Sequence, residues 1–72
     1  MTTQEKSKYL LAELTRKANY AIARKRRSLV YETYGMAKGM YFVDALELED
    51  FSKINDLLVV NTINSHDWRD FK

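Results

Sequence analysis

Three groups of residues in this 72-residue chain have the types that acid–base, nucleophilic or binding chemistry uses. Ser65-His66-Asp67 spells the members of a hydrolytic triad, but as neighbours along the backbone. A nucleophile, its base and the orienting carboxylate must converge in space, whereas consecutive side chains point apart. A capping turn accounts for Ser65 and Asp67 more simply. Carboxylates pair by spacing in Glu47 with Asp50 and in Glu49 with Asp56. On a charged helix face such groups are solvated or ion-paired far more often than they are catalytic.

The third group is basic and aromatic. Arg24-Lys25-Arg26-Arg27 follows Arg16 and Lys17. At about 100° per residue, Arg16, Lys17, Arg24 and Arg27 fall within about a quarter turn of a helix, with Lys25 toward the apolar seam and Arg26 away from both. Tyr9, Tyr20 and Tyr31 recur every eleven residues on that same side, with Tyr34 a turn on and Phe42 continuing the period. Eleven residues make about three full turns, so on one straight helix these rings line up with the arginines between them. The residues this pattern nominates for contact with a partner are Tyr9, Arg16, Tyr20, Arg24, Arg27 and Tyr31.

Three readings compete for the stripe. It is a packing face for a protein partner or a second copy, since tyrosine and arginine are enriched at interfaces. It is a nucleic-acid face, with arginines on phosphates and rings on unpaired bases. Or it lies against an anionic membrane surface or is merely solvated. A net charge of only +2 and the lack of a winged, homeodomain-like or RNA-recognition signature weigh against nucleic acid. The Arg-Lys-Arg-Arg quartet also resembles a localisation signal, but basic quartets on solvated helices are too common to carry weight. Residues 1–42 hold nine Lys/Arg and three Asp/Glu, and residues 43–72 hold three and seven. The two parts should therefore attract each other and partly cancel the basic field.

The elements that must position these residues read as helical. Thr2-x-x-Glu5 spells a capping box. From Leu11 through Leu14, Ala18, Ile22, Lys25, Leu29, Thr33, Met36 and Met40 to Val43, spacings of three and four average close to the helical period. The chain has no proline to interrupt them, so one helix over about 3–42 is expected. Gly35 and Gly39 interrupt the pattern weakly, by lowering helix stability rather than by marking a close crossing. Asp44-x-x-Glu47 repeats the capping-box spelling after a turn near Val43 to Leu46, and Leu48, Phe51, Ile54 or Asn55, and Leu58 continue into a second helix over about 45–62. Leu57 to Ile63 is β-branched enough to compete as a strand. Residues 63–72 read as a short helical turn whose Trp68 and Phe71 fold back on the helices, or else as a frayed tail.

The fold expectation is therefore all-α: a single small domain over 1–72, a long helix with a shorter antiparallel one packed as a hairpin, assembling into a bundle. A domain this small buries only about 60% of the surface its unfolded chain exposes, which makes a lone copy marginal. The chain has no Cys and one His, so neither disulfides nor a zinc site can compensate, and a homo-oligomer is the leading remedy. No metal and no cofactor are expected. At 46% apolar content wholesale disorder is unfavourable, and the longest apolar runs are four residues, as in 40–43 and 57–60, far short of a membrane span. No signal-peptide core or glycine-rich phosphate loop appears, so the reading is cytoplasmic and non-enzymatic. The functional expectation is a small regulator or adaptor, of the bacterial or phage accessory kind, that binds a protein through the Tyr/Arg face of the first helix. The alternative is a nucleic-acid-binding protein using the same face.

Overall fold

A computed structural model describes residues 2–72. The first helix, α1, spans Thr3–Arg24, and the Thr2 hydroxyl caps it by accepting from the Glu5 amide at 3.1 Å. Ser7, Leu14, Ala18 and Ala21 are buried along one side of it.

The single helix expected over 3–42 is two helices. Lys25 takes left-handed backbone angles (φ 51°, ψ 48°), its amide meets the Ile22 carbonyl, and the Arg26 amide reaches back to Ala21. This six-to-one and five-to-two pair of bonds is a Schellman ending, and α2 starts afresh at Arg27–Phe42. A 40-residue helix would be about 60 Å long, and a second helix of about 18 residues would cover less than half of its apolar stripe. Breaking it places Leu14, Ala18 and Ala21 in one core with Val30 and Ala37. Burial of that order outweighs the roughly 1–2 kcal/mol that a left-handed lysine costs.

α2 ends the same way. The Asp44 amide bonds to Tyr41, the Ala45 amide bonds to Met40, and Asp44 is left-handed at φ 60°. The turn expected near 43–46 is thus present, but Asp44 is not the cap of the next helix. Helix α3, Leu48–Asn55, has Glu47 in the capping position, and it runs without interruption into a π-helical segment over Asp56–Ile63. Leu57 to Ile63 is therefore helical, and among the described residues there is no strand. Asp50, Ile54, Leu58 and Thr62 are buried every fourth residue, so one side of this third helix faces inward throughout.

Three helices pack together, each against the other two, in a body of 40 × 17 × 15 Å. Leu46 and Phe71 complete the core. A 3-10 turn over His66–Asp70 brings the last residues back to the α1–α2 junction. There the Lys72 amide donates to Lys25 and the Arg27 amide donates to Lys72. Among the described residues no helix is long and apolar enough to cross a membrane.

Candidate functional site

The break at Lys25 divides the nominated face. Tyr9, Arg16, Tyr20 and Arg24 lie on α1, and Arg27 and Tyr31 lie on α2. All six are exposed, but they do not form one continuous stripe. Arg27 and Tyr31 are taken up by the tail. The Arg27 side chain donates to the Phe71 carbonyl at 2.9 Å and to the Trp68 carbonyl at 3.4 Å, and its guanidinium sits 5.2 Å from the centre of the Trp68 ring system. Tyr31 meets Trp68 edge-on at 5.5 Å. Trp68 in turn lies against Phe71. These contacts hold the 3-10 turn down, as expected of aromatics that fold back on the helices.

Arg16 and Tyr20 instead share a groove between α1 and α2. Its walls are Glu13, Arg16, Lys17 and Tyr20 from one helix and Leu29, Glu32, Thr33 and Met36 from the other, around about 410 Å³. Glu13 and Arg16 pair across one turn, and Arg24 stacks over the Tyr20 ring at 5.0 Å. The Thr33 hydroxyl is turned back to the Leu29 carbonyl, so the floor presents mainly Leu29 and Met36. An apolar floor under a rim carrying both signs of charge suits a protein segment better than a phosphate chain, which wants one sign throughout. Tyr9, more than half exposed, stands apart from this groove.

The carboxylate pairs resolve differently from their spelling. Glu49 reaches Lys53 at 3.6 Å rather than Asp56. Asp50 is fully buried, accepting from the Ser7 hydroxyl at 2.6 Å and from the Lys8 ammonium at 2.5 Å. Ser7 also accepts the Glu47 amide at 2.8 Å, so one hydroxyl on α1 holds the residue that precedes α3 and orients the carboxylate. Burial pushes the Asp50 carboxyl up, but the hydrogen bonds from Lys8 and Ser7, with the Lys8 charge, outweigh it and hold the group below the ordinary carboxylate range. The hydrogen bond to Asp50 raises Lys8 above the usual ammonium range. Every oxygen here has a partner inside the protein, which is the arrangement of a structural clasp. One signal in the sequence points to it: Asp50 is in four-residue register with Ile54 and Leu58.

In the tail, the Ser65 hydroxyl donates to the Thr62 carbonyl at 2.7 Å, and it does not cap the 3-10 turn that follows. His66 is exposed, and among the described residues it makes no hydrogen bond to Ser65 or Asp67. No group of three or more His, Cys, Asp or Glu among the described residues is arranged to hold a metal. No protein-family model matches the chain, and no curated protein or solved structure matches it.

Proposed function

We propose that this chain is a non-enzymatic binding protein, a small regulator or adaptor of the cytoplasm, whose α1–α2 groove receives a segment of a protein partner. The observation that carries the reading is the groove itself, with Tyr20, Leu29 and Met36 open to solvent between Glu13, Arg16, Lys17 and Glu32. Partly exposed aromatic and sulfur-containing side chains set within a charged rim are what a well-packed interface covers. Self-association, the remedy small size calls for, has a separate surface in Phe42, Val43 and Leu48, all more than 60% exposed where α2 gives way to α3. Nucleic acid on the original stripe is the weaker reading, because Arg27 and Tyr31 are engaged by Trp68 and Phe71.

Photo-crosslinking tests the groove directly. With Tyr20→benzoylphenylalanine in the full chain, irradiation in cells should give a discrete adduct that protease removes and nuclease does not. The adduct should vanish when Met36→Glu is added, and it should be absent when the probe is placed at the exposed Asn61 instead. Adducts to nucleic acid alone, or an adduct indifferent to Met36→Glu, would overturn the proposal. Light scattering on eluted wild-type chain reads self-association: a monomer at all concentrations removes the oligomer while leaving the groove untouched.

A further inference from the structure

We infer that the α1–α2 junction is a second binding surface, independent of the groove, that docks the phosphate backbone of a nucleic-acid duplex without reading its sequence. Arg24, Lys25, Arg26 and Arg27 are consecutive in the chain, and the turn between the helices gathers them with Lys72 around one concavity at the tip of the molecule. Asp70 is the one carboxylate among its lining residues. Arg24, Lys25 and Arg26 are all exposed, and among the described residues none of the three has an acidic partner within 4 Å. The acidic second half expected to neutralise these cations is engaged elsewhere: Asp50 pairs with Lys8, and Glu49 pairs with Lys53 of its own helix.

Two local features favour an anion at the same place. Helix α2 begins here with no side-chain cap and no acidic residue in its first turn, so its positive end adds to the field of the side chains. Lys25 holds the left-handed position that glycine or asparagine occupies with less strain, which keeps a cation at the apex of the turn.

The chemistry of the surroundings selects the partner. A helix that adsorbs to an anionic membrane pairs its cations with apolar side chains that enter the acyl boundary. None of the exposed large apolar side chains lies among the lining residues of this tip. Unpaired bases would need rings to stack on, and none of the residues lining this tip is aromatic. What remains is one sign of charge at short spacing, which matches the repeating charge of a duplex backbone.

Fluorescence anisotropy with a labelled duplex of about 20 base pairs tests this on the full chain, because counterion release ties affinity to salt at about 0.9 per phosphate neutralised. With Arg24, Lys25, Arg26 and Lys72 engaged, affinity should fall about 100-fold between about 50 and about 200 mM salt. Lys25→Asn with Arg26→Gln keeps a residue suited to the left-handed turn and leaves the core alone. This pair should lower affinity at low salt at least about tenfold and reduce the salt slope by about 2. Lys38→Gln with Lys53→Gln removes the same charge elsewhere and should leave binding within about twofold. Equal losses from the two pairs mean diffuse attraction, and they overturn the site. Absence of duplex binding at low salt, or binding to phosphatidylglycerol vesicles alone, overturns it as well.

Discussion

The Ser7 hydroxyl does two structural jobs from one atom, and its removal separates them from packing. Ser7→Ala leaves the partly buried Glu47 amide without its acceptor and the fully buried Asp50 without one of two donors. Such a loss costs about 1–3 kcal/mol. In a domain this small that lowers the melting temperature by about 4–8 °C per kcal/mol, readable by circular dichroism. The same clasp sets a pH dependence. The Asp50 carboxyl is depressed in the folded chain, so on acidification the unfolded chain takes up this proton first. Its contribution is therefore present above about pH 4 and is lost as the pH falls through the folded value. Lys8 is raised, so its share holds below about pH 10 and is lost as the pH rises through its folded value. Urea midpoints should fall more steeply with acid for the wild type than for Asp50→Asn, and parallel curves would sink this account. The residue types here were visible in the sequence, but their partnership was not, because Ser7 and Asp50 are 43 residues apart. A pattern within one helix locates Asp50 on the buried side, whereas only the packing of two helices supplies its donors.

At the scale of elements, helical periodicity showed where helix forms but not where it ends. Both helix ends before α3 are Schellman motifs with a lysine or an aspartate in the position where glycine is the usual signal. The two glycines present, Gly35 and Gly39, lie inside α2 instead, where they stop nothing. A stop at Lys25 is imposed by tertiary burial and leaves no local mark, so the seam drawn through Lys25 and Thr33 followed helix periodicity across a break. The turn at 43–46 was legible through the capping-box spelling Asp44-x-x-Glu47, although Glu47 rather than Asp44 takes the capping position, and Leu57 to Ile63 was ambiguous because β-branched residues suit a strand as well as a buried helix face. The candidate face inherited the error, since an eleven-residue period aligns rings only on an unbroken helix. Two substitutions follow from the misplaced glycines. A Cβ at Gly35 or Gly39 meets nothing within 4 Å, and both positions are exposed. Gly35→Ala and Gly39→Ala should each raise stability by up to about 1 kcal/mol through helix propensity alone. Lys25→Gly should likewise stabilise, by relieving the left-handed lysine, to a similar extent of about 1 kcal/mol. Urea denaturation checks all three, and a loss of stability in either alanine variant would show that α2 bends or packs at its glycines.

The whole molecule is fastened at two places along α1. Near its start, Ser7 and Lys8 grip α3 through Asp50. Past its end, the turn at Lys25 and the start of α2 are tied to the tail through Lys72, with Arg27 reaching Trp68 and Phe71. The seventeen residue steps along α1 from Ser7 to Arg24 put these fastenings about 25 Å apart at the helical rise. Neither region shares a hydrogen-bond partner with the other, and the core of small and branched side chains between them is what couples them. Phe71 is 5% exposed and belongs to that core. Phe71→Leu keeps most of the buried volume, so it should cost about 1 kcal/mol without unfolding the chain. Combined with Ser7→Ala, the two losses should add to within about 0.5 kcal/mol if each fastening holds its own end and the molecule unfolds in one step. A double variant more stable than the sum predicts would mean that loosening one end already releases the other. The denaturant slope separates that case from a change of the unfolded state, because partial release in the native state lowers the surface left to expose. Hydrogen exchange at the Arg27 amide, which bonds to Lys72, gives the same answer locally: in Ser7→Ala it should speed only as far as global stability falls.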